Sequence, residues 1–190
     1  KSGNERHVSN QVGDPQTGLR TINGLNVIDF TSSRMATSSI ASWLNNTSYT
    51  IIAVTQFDNN TGAFMGTEGG GNNQIMHHGY FGSNWTLSQF GGGNGTSWST
   101  SLSSTTPVLS VTTAAHPTFE AWINGTSLGI NTASSTQLSA TGPFNIGRPE
   151  SDGGWGYYDG TIAEIIIISD EITSVKRQKI EGYLAHKWGL

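Results

Sequence analysis

The sequence predicts an all-β domain of two packed antiparallel sheets, completed by one short C-terminal α-helix. Three observations carry that prediction. Only 34% of the 190 residues are hydrophobic and 12% are charged, with 25 Gly and abundant Ser, Thr and Asn between short apolar runs. That balance suits a loop-rich β protein. The apolar runs are separated by turn residues, giving roughly ten or more strands at the spacing of a two-sheet sandwich. A helical pattern is strong only once, at the end, where the β-branched run Gly160 to Ile168 is followed by Thr173 to Leu190. A chain of this length is the size of one domain with one core.

Residues 1–15 are polar, with Gly, Asn and Pro and no periodicity, and read as an extended N-terminal arm or linker ahead of a domain over 16–190. Asn23-Gly24 is a dipeptide of tight hairpin turns, and Asn26 to Phe30 follows as a strand. Tyr49 to Phe57 is apolar on both faces and belongs centrally in its sheet. Gly69 to Gly71 and Gly91 to Gly93 bracket a strand over Gln74 to His78, a turn at Gly82-Ser83-Asn84 and a second strand to Phe90. Neither glycine run precedes a helix, so both read as hairpin tips and not as phosphate-cradling loops. Pro107 to Thr112 is a strand. Phe119 to Ile123, Asn124-Gly125 and Thr126 to Ile130 form the strongest hairpin signal. Pro143 to Gly147 is a further short strand. No fixed-period repeat recurs, which argues against a solenoid or propeller.

In the closing segment, Ile180, Tyr183, Leu184 and Trp188 fall on one helical stripe that Ile172 extends. Thr173 is the natural N-cap, with Asp170 and Glu171 ahead of it where the helix dipole favours negative charge. Gly189 suits the left-handed end of the helix. Gly182, inside the helix, is expected to mark close packing against the sheet. Lys176, Arg177, Lys179 and Lys187 are expected on a solvated helix face.

Gly160-Thr161-Ile162-Ala163-Glu164-Ile165-Ile166-Ile167 together with Arg177-Gln178-Lys179-Ile180-Glu181-Gly182-Tyr183-Leu184-Ala185-His186-Lys187-Trp188-Gly189-Leu190 resembles the C-terminal signature of laminin-G-like jelly-roll domains, of the concanavalin A-like lectin and glucanase superfamily. Ile22-Asn23-Gly24-Leu25 with Phe30, and Ala121-Trp122-Ile123-Asn124-Gly125, are similar to its early strand pair and late hairpin. Ile172 stands where Leu is usual, and Lys176 where Glu would complete a capping box. The resemblance implies a jelly-roll sandwich with a curved concave face and rim loops, used for glycan or protein recognition. It also implies a module of secreted bacterial or of phage virion proteins, hence an extracellular or virion-surface location. The chain begins at Lys1, and a processed form or a piece of a longer protein is expected.

A net charge of −4 argues against nucleic acid as partner. No apolar stretch is long enough for membrane insertion, and the absence of Cys excludes disulfides, thiolate metal sites and a cysteine nucleophile. The superfamily's glucanases are similar to one another in carrying two Glu flanking an Asp on one strand. Here Glu150-Ser151-Asp152 is the only Glu-x-Asp and no second Glu follows, while Glu120 and Glu164 stand apart. No catalytic residue is therefore assigned. His77 and His78 fall on opposite faces of a strand and cannot grip one metal together. Asp58-Asn59-Asn60 and the acids of 152–159 offer oxygen ligands of the kind calcium prefers, but the same residues make turns, so a calcium cofactor stays open beside none at all. The sequons at Asn45, Asn59, Asn84, Asn94 and Asn124 are what a chain rich in Ser and Thr produces by chance.

Asp152-Gly153-Gly154-Trp155-Gly156-Tyr157-Tyr158-Asp159 combines aromatic rings, carboxylates and glycines. Sugars stack on such rings and hydrogen-bond to such acids. Asp152, Trp155, Tyr157, Tyr158 and Asp159 are the candidate ligand-binding residues, with Asn84 and Trp85 as a second candidate. The rival use of the same rings is in the core beneath the last strand. The expected function is a non-catalytic recognition or adhesion module, with glycans as the expected ligands. Alternatives are a virion decoration, fibre or surface domain that binds neighbouring subunits, and a glucanase-like hydrolase.

Overall fold

The computed structural model describes residues 7–59, 61–71, 73–89, 94–133, 136–149 and 156–190. Two antiparallel seven-stranded sheets pack face to face, with one C-terminal helix outside them. The first sheet is built from β1 (Val8–Val12), β4 (Arg34–Ile40), β13 (Pro143–Ile146), β6 (Thr61–Thr67), β7 (Met76–Phe81), β8 (Asn84–Gln89) and β9 (Asn94–Ser99), in that spatial order. The second runs β12 (Thr126–Thr132), β11 (Thr118–Ile123), β10 (Val108–Ala115), β5 (Tyr49–Phe57), β14 (Gly160–Ile168), β3 (Leu25–Phe30) and β2 (Gln16–Ile22).

β5 is the strand the sequence places centrally, and it lies between β10 and β14. Its alternation divides the protein into two apolar clusters. Tyr49, Ile51, Ala53 and Phe57 join Phe64, Trp85, Leu87 and Phe119 between the sheets. Ile52 and Val54 point the other way, to Val111, Trp122, Leu184 and Trp188 beneath α1 (Ser174–Trp188). A strand that buries both faces needs a cover for its outer one, and the terminal helix supplies it.

The hairpin signals fall where expected. Ile22 pairs with Leu25 and Ile123 with Thr126, around Asn23-Gly24 and Asn124-Gly125. All four turn residues have positive φ, the requirement of a type I′ turn. β7 and β8 close on Gly82-Ser83, and β7 begins at Met76, later than the strand expected from Gln74. Gln74 instead ties its loop together, its Oε1 accepting from Gly70 N at 2.9 Å and from Thr141 Oγ1 at 3.0 Å.

Three expectations need correction. Part of the segment expected as an arm is a strand, because β1 pairs with β4 from Val8 opposite Thr37 to Val12 opposite Arg34. The helix is rotated from its expected stripe: Tyr183 is 59% exposed, while Arg177 and Glu181 are buried with Leu184 and Trp188. Burial of these two charges is tolerated because they pair with each other and the Arg177 guanidinium lies 4.3 Å from the Trp122 ring centroid. Gly182 has open space where a Cβ would go, so packing does not require it. Capping is as expected: Thr173 Oγ1 accepts from Lys176 N at 3.3 Å, and Gly189 takes the left-handed conformation at φ 69°.

Candidate ligand-binding face

Helix α1 covers the outer face of the second sheet, so the larger surface without a helix on it is the outer face of the first. Which side chains form it follows from pleat and register. In β8, Trp85 and Leu87 point into the core, and Asn84, Thr86 and Ser88 therefore point out. In β7, Met76, His78 and Tyr80 point in, leaving His77 and Gly79 outside.

Strand pairing assembles these into rows. Ala36, Asn145, Gly66, His77, Ser88 and Gly95 lie opposite one another in turn across six strands. The next row carries Ala63, Gly79, Thr86 and Ser97, and beyond it Asn84 faces Ser99. On β8 and β9 the outward residues are thus hydroxyls, an amide and a glycine, on strands about 4.8 Å apart. Ser97 and Ser99 are exposed, and Thr86, Ser88 and Asn84 half-buried. Ser99 Oγ donates to Asn84 Oδ1 at 3.4 Å, and Asn131 Nδ2 of β12 donates to Ser97 O at 2.8 Å, tying β9 to the second sheet.

Toward β13 the face is partly covered. A Cβ on Gly66 would stand 2.6 Å from Pro149 Cβ, so the chain leaving β13 folds back across the sheet there. Asn145 Nδ2 fixes that fold by donating to Pro149 O and to Glu68 Oε1, each at 3.0 Å, and Glu68 also pairs with Arg34. Next to Pro149, the Arg148 guanidinium lies 4.6 Å from the centroid of the half-buried Tyr157 ring. Burial pushes the imidazoles of His77 and His78 down to about 4. Both rings are therefore neutral at physiological pH. His77 is buried on the outer face, and His78 lies in the core beside Phe64 and Trp85, its Nδ1 2.8 Å from Thr86 O. As the alternation requires, they do not converge.

The residues singled out in the sequence separate into different environments. Asp152 and Trp155, like Glu150, lie outside the described residues. Tyr158 is wholly buried against Phe30, Phe57 and Phe64, and its hydroxyl sits 2.8 Å from Gln56 O and 3.0 Å from Thr161 O. Trp85 is also wholly buried, and its Nε1 donates to Thr112 Oγ1 at 2.9 Å. Neither ring can stack on an outside ligand: Tyr158 flanks the buried strand β14, and the alternation of β8 points Trp85 into the core. Asp159 accepts from Asn59 Nδ2 at 3.3 Å, and its carbonyl from Asp58 N at 3.0 Å. Asp58 in turn holds Arg20 through both carboxylate oxygens, and Arg20 also reaches Asp29. Asp58 is thus used as an ion-pair partner. Among the described residues no group of three or more His, Asp or Glu is arranged to hold a metal ion.

Tyr157, Asp159 and Asn84 remain as candidates that reach the surface. The hydroxyls of β8 and β9 were not among the candidates, although alternation in Asn84-Trp85-Thr86-Leu87-Ser88-Gln89 marks one strand of them. Their juxtaposition depends on register, which a single strand does not encode.

No protein-family model and no curated protein sequence matches the chain. Solved structures do. A putative carbohydrate-binding protein from Bacteroides ovatus matches at 18% identity and a TM-score of 0.60, over 77% of this chain and 44% of that one. Domain 4 of AbnA, a GH43 extracellular arabinanase from Geobacillus stearothermophilus solved with arabinotriose, matches at 13% and 0.63, over 92% and 87%. A heptameric SAP-like pentraxin from Limulus polyphemus matches at 13% and 0.61, over 82% and 81%. The chain thus spans less than half of the Bacteroides ovatus protein. At these identities the likeness is one of fold, a two-sheet antiparallel β-sandwich.

Proposed function

We propose that the chain is a non-catalytic recognition module that binds glycans on the outer face of its first sheet, outside the cell or on a virion surface. The observation that carries this reading is the row structure of β8 and β9, where Asn84, Thr86, Ser88, Ser97 and Ser99 share one helix-free face. Hydroxyl and amide groups at this spacing donate to and accept from the hydroxyls of a sugar. Tyr157, steadied by Arg148, offers a ring at the margin of the face. The carbohydrate-binding descriptions of fold neighbours support the same reading. Among the described residues, Glu164 accepts from Lys187 Nζ and Trp188 Nε1 of α1, and Glu120 from Ser127 Oγ of β12, away from this face.

A glycan array probed with and without calcium tests the reading. Binding should occur and be abolished by Ser97→Arg, which places bulk and charge on an exposed position of the face. An array blank under both conditions would refute it. A second reading, assembly with neighbouring subunits, is favoured by Leu19 on β2 and Ile130 on β12, which are 66% and 64% exposed on the two edge strands of the second sheet. It predicts self-association that Leu19→Lys or Ile130→Lys weakens.

A further inference from the structure

The chain carries three Asn-Gly dipeptides, and two of them, Asn23-Gly24 and Asn124-Gly125, form exposed type I′ turns. The third, Asn94-Gly95, lies in β9. In Asn-Gly the side-chain amide is poorly shielded from its own main chain, because the glycine nitrogen that can attack it carries no neighbouring side chain. Both turns open on a cavity of about 480 Å³ that also reaches Trp188 and Leu190 at the end of α1, so water has access to each amide. The two amides are put to opposite uses. Leu109 N donates to Asn124 Oδ1 at 2.9 Å, and Asn124 N donates to Leu109 O at 2.8 Å. Asn23 instead uses its nitrogen, Nδ2 donating to Lys187 O at 3.0 Å. The partner fixes which end of each amide faces it, since an N–H only donates and a carbonyl only accepts.

Lys187 O is one of the last four carbonyls of α1, which have no partner within the helix. Asn23 therefore caps that end from a neighbouring hairpin, and in close contact, since a Cβ on Gly189 would stand 3.0 Å from Asn23 Cγ. Replacing the amide by a carboxylate removes the donor and sets a negative charge against the negative end of the helix dipole. Lys187, on the same turn, is already paired with Glu164. At Asn124 the same replacement keeps an acceptor for Leu109 N.

We infer that Asn23 is a site of spontaneous deamidation and that the reaction releases the last turn of α1, independently of any glycan the chain binds. Gly24 N, giving up its proton to solvent base, attacks Asn23 Cγ. The new C–N bond closes a succinimide as Nδ2 leaves as ammonia. Water then opens the ring at either carbonyl. One opening leaves a carboxylate on the ordinary main chain. The other leaves an isoaspartate, whose extra main-chain methylene lengthens the loop and disturbs the pairing of Ile22 with Leu25. No oxidant or reductant is consumed. Attack requires the turn to open. Opening at Asn124 breaks one hydrogen bond more than opening at Asn23, so Asn23 should react about fivefold faster.

Peptide mapping by mass spectrometry, with isoaspartate counted by an isoaspartate methyltransferase, tests this on the folded chain incubated in mildly alkaline buffer. Deamidation should accumulate at Asn23 about fivefold faster than at Asn124. Asn23→Asp reproduces one product. It should lower the melting temperature by about 4 °C and speed amide hydrogen exchange over residues 185–190 by about tenfold. Asn124→Asp should do neither, and the deamidated fraction of the aged wild-type chain should exchange as Asn23→Asp does. An intact Asn23 in the folded chain, under conditions in which the urea-unfolded chain reacts there, would overturn the inference. So would reaction at Asn124 as fast as at Asn23, wild-type melting and exchange in Asn23→Asp, or an equal loss in Asn124→Asp.

Discussion

Acid should destabilise this protein through His78 and His77. His78 is enclosed by Phe64 and Trp85, with ring centroids 5.2 and 5.0 Å away. Its Nδ1–H donates to Thr86 O, and Nε2 has no hydrogen-bond partner. Protonation of His78 would place an unmatched charge among aromatic rings, and His77 is buried on the outer face, so burial lowers both from 6.5 to about 4. The sign follows from linkage. Below pH 6.5 the unfolded chain takes up protons that the folded chain refuses, so stability is full above that pH and is lost as pH falls toward 4. At about 1.4 kcal/mol for each pH unit between the two values, each histidine costs roughly 3 kcal/mol at pH 4. Together they remove much of the 5–15 kcal/mol typical of a domain. Glu181 works in the opposite direction, since burial raises its carboxyl above the usual range and folding then favours its protonation as the pH falls. Urea unfolding followed by Trp fluorescence from pH 8 to pH 4 measures the balance. His78→Gln, which keeps a donor for Thr86 O and cannot titrate, should recover about half of the loss. Equal free energies at pH 7 and pH 4.5, or an unchanged slope in the variant, would refute the reasoning.

Gly182→Ala should stabilise the protein by about 1 kcal/mol, since the site is open and helical, and a lower melting temperature would contradict that. Gly66→Ala should be severely destabilising, because the new Cβ would lie 2.2 Å from Met76 O as well as against Pro149; soluble expression with unchanged stability would count against the register described. Trp85→Ala should cost about 3–5 kcal/mol in chemical denaturation, as expected for a buried ring that donates to Thr112, whereas Ser97→Arg should leave stability nearly unchanged. Above pH 10 the unfolded chain ionises Tyr49 and Tyr158 while burial holds both protonated in the fold, so stability should decline there, and a flat alkaline profile would argue against their burial.

Much of this architecture was legible because local chemistry and tertiary structure agree. Asn23-Gly24 and Asn124-Gly125 have few alternatives to a type I′ turn, and Tyr49 to Phe57, apolar on both faces, has no stable place except the middle of a sheet. The helix was harder. Its apolar positions suggested a stripe through Tyr183, but Trp122, far away in sequence, recruits Arg177 and turns the helix toward Glu181. The candidate site was less legible still. Aromatic rings look alike in sequence whether they face a ligand or the core, and Trp85 and Tyr158 went to the core. Serine and threonine are everywhere in this chain, and only the pairing of β7, β8 and β9 shows which of them share a face.

The most direct measurement is NMR mapping of an oligosaccharide that the array identifies. The account predicts that the largest amide shifts fall on Thr86, Ser88, Ser97 and Ser99, and that Ser97→Arg removes them. Saturable binding with no shift on β8 or β9, or undiminished binding by the variant, would contradict it.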